Sequence, residues 1–252
     1  MDIQIGDVEL LLPVLARVLS ALMLMPIFGH RNVPTLAKIA LGVCLSWLLI
    51  APGGIENHIP TSMSRYLLGL IGEILIGLLL GFISSLFFWA VSMAGELLGR
   101  QIGWSFGETL HSSFESTPVP TGQLFSILGM LVFLSIGGHH LILQALATTF
   151  EAAPPFALTV GSAESGKALE LVSMMFNGAV QMSLPVVGTL MLTEVVLAFL
   201  ARVFPALNAW VFGMPLKAGV GLIALWLGLP AIFVLIKQWL MQAPYDMLLL
   251  VK

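Results

Sequence analysis

The residues of this sequence best placed to do chemistry are charges set inside apolar stretches: Arg17, Glu73, Glu96, Arg100, Glu194 and Arg202. A charge in hydrocarbon is costly, so each implies a partner or a wet surface. One chemistry would be a proton or ion relay; the other is pairing between helices or subunits that fixes assembly. The absence of an acid-rich cluster favours pairing. Arg17 and Glu73 suit the protein interior. Glu96 and Arg100 stand four apart with the acid first, so on a helix they share a face and can pair. Arg202 is always charged, and is expected at a helix end, held by a partner or by carbonyl groups rather than bare in lipid.

Other reactive residues carry less. His139 and His140 follow Gly137 and Gly138; adjacent helical residues point about 100° apart, and no nearby Cys or Asp completes a metal site. A hydrogen-bonded structural role is expected. Cys44 is the one cysteine and lies in an apolar run, where it reads as a small packed hydrophobe. The sequence contains no GxSxG, HExxH or phosphate-binding Walker pattern, so neither catalytic residues, a metal nor a cofactor is expected.

Two patterns concern shape rather than reactivity. Gly95, Gly99, Gly103 and Gly107 recur every four residues, a bare helical stripe that lets another backbone approach closely. It reads either as a hinge or wall of a passage, or as ordinary helix packing. The segment Ser105–Thr121 follows, too polar for lipid and too apolar for a plain surface loop. Phe106, Leu110 and Phe114 recur among serines, and Pro118 and Pro120 close it. Non-helical backbone at membrane depth is tolerated only against a cavity or buried in protein. The segment is therefore either a re-entrant plug, with Ser105, Phe106, Leu110, Phe114, Pro118 and Pro120 at the constriction, or an interfacial loop.

The elements that must position these residues are hydrophobic helices. A helix needs about 20 apolar residues to cross a bilayer core of about 30 Å. Six segments come near that, running from Leu10 to Gly29, Leu36 to Ala51, Leu67 to Leu98, Gln123 to Phe150, Leu171 to Phe199 and Leu216 to Ile236, with a short amphipathic tail from Trp239 to Val251. Proline and glycine mark the joins, and Pro185 inside the fifth segment predicts a kink. The apolar runs are continuous, not alternating, so helices are expected rather than a barrel. The third and fifth segments exceed a bilayer core and must tilt or project beyond it, covered by other protein.

Composition agrees. Of 252 residues 58% are hydrophobic and 9% charged, with a mean hydropathy of +1.03; soluble domains carry about 25% charge. The fold class is all-α, a polytopic membrane protein of about six long helices, expected as one domain over residues 1–252. The net charge of −3 is too small to imply nucleic acid. The sequence opens with Asp2, Asp7 and Glu9, not the positive charge of a secretory signal, so the first span is expected to be retained. Arg31, Lys38, Arg100, Arg202 and Lys217 on one side face Arg65, Lys167, Lys237 and Lys252 on the other; with the acidic start this predicts an outside N-terminus.

The sequence resembles the FliR family of flagellar type III export-gate proteins, whose virulence counterpart is SctT, over nearly its whole length. The resemblance rests on Arg17, Leu22, Pro26, Phe28, Gly29, Arg31, Val33, Pro34 and Lys38; on Gly95, Glu96, Gln101, Gly103 and Phe106; on Phe133, Leu134, Gly138, His139, Phe150 and Pro154; and on Arg202, Pro205, Asn208, Phe212, Gly213, Pro215, Leu216 and Lys217. Ala206 departs from a frequent Gln, and Ser113 and Phe114 replace a common Asp-Pro pair. The resemblance implies a structural gating subunit in the bacterial inner (cytoplasmic) membrane, within the flagellar basal body. It implies a helical conduit shared with FliP-like and FliQ-like chains, bound by an FlhB-like protein, driven through an FlhA-like one, and passing unfolded flagellar substrates. It places the pore plug on Ser105–Thr121. The alternatives are the virulence-type equivalent and a small secondary transporter, which would need a midplane site and internal repeat and should be stable alone.

Overall fold

The computed structural model describes residues 5–30, 32–50, 60, 62–104, 119–156, 164–204 and 209–249. Seven helices and no strand occur among them. They are α1 (Ile5–Leu24), α2 (Thr35–Ile50), α3 (Met63–Ile102), α4 (Pro120–Ser135), α5 (Gly138–Ala152), α6 (Glu164–Val203) and α7 (Ala209–Leu249). Each of the six hydrophobic segments is largely helical where described, although the first helix ends at Leu24, short of Gly29. The fourth is two helices, because Gly137 adopts φ 69° and caps α5 in the left-handed region, where glycine is nearly free of strain. The C-terminal tail is a continuation of α7 to Leu249. The helix α6 continues through Pro185, where the Thr189 hydroxyl donates to the Pro185 carbonyl at 2.9 Å.

Among the described residues α3, α6 over Leu169–Val203 and α7 over Phe212–Gln242 are long and apolar enough to cross a membrane, and α4 with α5 adds a fourth if taken as one broken span. At 1.5 Å per residue a 40-residue helix reaches about 60 Å, twice a bilayer core; α3 and α6 are 40 residues each.

The chain divides into two compact units, each with its own core. Unit 1 gathers Met1–Phe87, Gly137–Val172 and Met241–Lys252; unit 2 gathers Phe88–Ile136 and Ser173–Leu240. In unit 1, Val14, Val18, Ala21 and Leu22 of α1 are buried, as are Leu80 and Ile83 of α3 and Ile142, Leu146 and Phe150 of α5. Lipid supplies no hydrophobic drive between helices, so small residues must let them close. Gly42 of α2 abuts Leu19, and Gly77 and Gly81 of α3 abut the Arg17 and Ala21 carbonyls of α1.

Unit 2 is built the same way. Gly95 and Gly99 of α3 receive Thr121, Val119 and Phe125, while Gly122 and Gly129 of α4 receive Glu96 and Val91. The helices α6 and α7 pair antiparallel: Gly178 meets Trp239, Gly228 meets Val186, Gly221 meets Leu190, and Gly213 meets Leu197. Their outer faces are bare. Only 11% of the most apolar stretch of α6 and 22% of that of α7 is buried, against 61% for α3.

Candidate functional site

Hydropathy puts Arg17 in the middle of α1, where no water can solvate it, and the fold supplies the partners. Its side chain is 0% exposed and that of Glu73 on α3 is 2%. The Arg17 Nε donates to Glu73 Oε2 at 2.5 Å. Its Nη1 donates to the carbonyls of Ala153 at 3.0 Å and Thr149 at 3.3 Å. Both carbonyls lie at the C-terminal end of α5, where the helix dipole is negative; that of Thr149 also accepts the Ala153 backbone N–H at 2.9 Å. The guanidinium also lies 4.3 Å from the Phe150 ring centroid, a cation–π distance. One nitrogen, Nη2, has no hydrogen-bond partner among the described residues. Planar, forked and weakly hydrated, arginine suits this three-way junction; lysine, a compact and strongly hydrated point charge, lacks the fork.

The second carboxylate oxygen of Glu73 accepts the Phe156 backbone N–H at 3.0 Å. Phe156 follows Pro154 and Pro155 and has φ 68°, the one non-glycine residue with positive φ among the described residues. That region costs an L-residue about 1–2 kcal/mol. The Phe156 ring stacks on Tyr66 at 5.3 Å between centroids and fills the notch left by the missing side chain of Gly69. The resulting cluster ties α1, α3 and α5 within unit 1.

In unit 2 the charges sit at the surface. Glu194 of α6 pairs with Lys217 of α7, the two side chains being 48% and 19% exposed, and Gln101 Nε2 donates to the same carboxylate at 3.5 Å. Leu192, Val195 and Val196, near Glu194 in sequence, are exposed, and a charge among them is costly if that face meets hydrocarbon. Glu194→Gln is expected to lower the melting stability of the detergent-solubilised assembly by less than about 1 kcal/mol, since partly exposed pairs are weak. A loss several times larger on thermal unfolding would mean that protein seals the pair. Glu96 and Arg100 approach to 3.8 Å on one helix face, both well exposed. Beside Glu96 lies an open cleft of 250 Å³ lined by Ser92, Gly122, Gln123 and Ser126. Arg202 stands in the last turn of α6 with its side chain exposed.

The structure thus brings Arg17 to Glu73 and Glu96 to Arg100, and adds Lys217 and Gln101 to Glu194. Gly95 and Gly99 are packing contacts. Gly103 ends α3 with φ 98° and open space around it. Pro120 is the first residue of α4. Ser105, Phe106, Gly107, Leu110, Phe114 and Pro118 lie outside the described residues. His139 and His140 stack at 4.2 Å, with His139 Nδ1 buried and unpartnered among the described residues. These residues hold no group of three side chains able to bind a metal. Cys44 is exposed on α2, not packed. Sequence reading passed over Phe156, which has no motif, and the stripe Gly213, Gly221 and Gly228, whose spacing of eight and seven is interrupted by Lys217 on the same face.

Residues 8–243 match the family described as Bacterial export proteins, family 1. The chain is 32% identical over 241 residues to the flagellar biosynthetic protein FliR of Bacillus subtilis, covering 89% of this chain and 88% of that one. It is 30% identical over 208 residues to FliR of Escherichia coli K12, covering 82% and 79%. Over 165 residues it is 32% identical to the secretion system apparatus protein SsaT of Salmonella typhimurium, covering 65% and 64%.

Proposed function

The chain belongs to family 1 of the bacterial export proteins, and from that premise we infer that it is a structural and gating subunit of the flagellar type III export apparatus. Its FliR relatives are flagellar biosynthetic proteins. The observation that carries the reading is the bareness of α6 and α7. Helices able to reach about 60 Å with most of their apolar surface open need neighbouring chains wherever they leave the bilayer. Their place is the bacterial inner membrane, at the flagellar basal body. The neighbours are FliP-like and FliQ-like chains forming a conduit for unfolded flagellar proteins, with FlhB-like and FlhA-like proteins bound to it. Residues 1–252 act as one export-gate module with no catalytic step of its own. A tagged chain purified in mild detergent is expected to bring the FliP-like and FliQ-like chains with it; a monodisperse, stable monomer would overturn the reading.

Within that conduit, Ser105–Thr121 is the plug. Phe106, Leu110 and Phe114 form an apolar stopper, which excludes ions by dewetting and opens without breaking ionic contacts. Gly95, Gly99, Gly103 and Gly107 bring the chain to it, and Pro118 and Pro120 stiffen its exit. Deleting about half of the segment should leave assembly intact and make cells leaky, measured as small-solute uptake or membrane conductance. An assembled deletion variant as tight as its parent would move the seal to a partner chain. In the same reading Glu96, Arg100, Glu194 and Arg202 are assembly charges, and Arg17 and Glu73 hold the subunit itself together.

A further inference from the structure

A bulky residue held at positive φ persists only where its surroundings over-determine it. Phe156 is held three times: its N–H by Glu73, its ring against Tyr66, and the same ring in the space at Gly69. Glu73 is in turn fixed by Arg17, whose other donors grip Thr149 and Ala153 in the last turn before Phe156. A buried ion pair needs partners for its remaining donors and acceptors, and here the hydrogen-bonding partners it has all come from one stretch, Thr149 to Phe156. We propose that the Arg17–Glu73 pair is a latch for Phe156, fixing the left-handed turn through which the chain leaves α5.

The latch separates backbone conformation from side-chain packing, so the test compares glycine with alanine at position 156. Both lack the ring; only glycine accepts φ 68° without strain. With Arg17 and Glu73 intact the turn is imposed, and Phe156→Gly is expected to melt about 2–4 °C above Phe156→Ala in detergent. In the Arg17→Met, Glu73→Leu background neither charge is stranded and the turn is free to relax. There the melting gap should close, while export by the glycine variant exceeds that of the alanine variant severalfold. A gap that survives removal of the pair overturns the latch. So does normal export from the Arg17→Met, Glu73→Leu chain with Phe156 unaltered. A second variant serves if the double replacement fails to accumulate. Phe156→Pro deletes the N–H and excludes positive φ while leaving both charges in place, and should lower export about tenfold or more; wild-type export from it would sink the proposal. Export is measured in cells whose own copy is deleted and rests on the function inferred above. Melting does not, so a deletion that leaves export unchanged would refute that function while the melting gap still tests the latch.

Discussion

Replacing Arg17 by methionine alone is expected to remove the chain from the membrane fraction. The substitution keeps much of the volume but strands the Glu73 carboxylate, 2% exposed, with the Phe156 N–H as its remaining partner. It also removes the Arg17 donor from the Ala153 carbonyl, while that of Thr149 keeps the Ala153 N–H. Breaking a buried pair from one side costs about 3–5 kcal/mol, a large part of the roughly 5–15 kcal/mol that keeps a domain folded. Removing both charges costs less, because no charge is stranded. Immunoblots of membranes should therefore show Arg17→Met nearly absent and Arg17→Met with Glu73→Leu partly restored. Wild-type levels of the single variant would show that the cluster is solvated in the working protein.

The second large effect is expected at Gly95. A side chain there would begin 2.5 Å from the Thr121 carbonyl oxygen and 2.8 Å from the Phe125 Cβ. Neither is the free end of a flexible side chain, so α3 and α4 must part. Overpacking costs about 1–3 kcal/mol even where a core adapts, and Gly95→Leu should abolish both assembly and motility. Gly103, two turns on, behaves differently. Its surroundings are open, so the hindrance is conformational: φ 98° admits asparagine better than leucine. Motility should fall in the order Gly103, Gly103→Asn, Gly103→Leu, with Gly95→Leu below all three. Equal tolerance of leucine at both positions would mean that the α3–α4 contact is dispensable.

Much of this was legible in the sequence because a membrane protein writes its spans as composition. The runs around Ile76, Leu131 and Leu190 could be helices and little else. The break at Gly137 was not predicted: the Gly137-Gly138 pair sits in an unbroken apolar run, and only the backbone reveals which glycine turns left-handed. The Glu96–Arg100 pairing followed from helical geometry alone. That of Arg17 with Glu73 did not, since 56 residues separate them, and their other partners are backbone groups, which leave no mark on residue type. Phe156 was hidden for the same reason. Pro154 and Pro155 announce a turn, but nothing in a phenylalanine announces positive φ. The glycine stripe of α7 escaped because Lys217 occupies a position between Gly213 and Gly221 that a simple search for repeated glycine would skip.

The way the two units draw on the sequence has a consequence for biosynthesis. Unit 2 takes its first stretch from Phe88–Ile136 and its last from Ser173–Leu240. At about 5–20 residues per second, the Gly95 and Gly122 faces are translated several seconds or more before α7 leaves the ribosome. The hairpin of α6 and α7, with Gly178 against Trp239 near its open end, closes only when the chain is almost finished. A ribosome stalled after α6 would thus leave a nascent chain with a 40-residue helix lacking its hairpin partner, a ready substrate for membrane proteases.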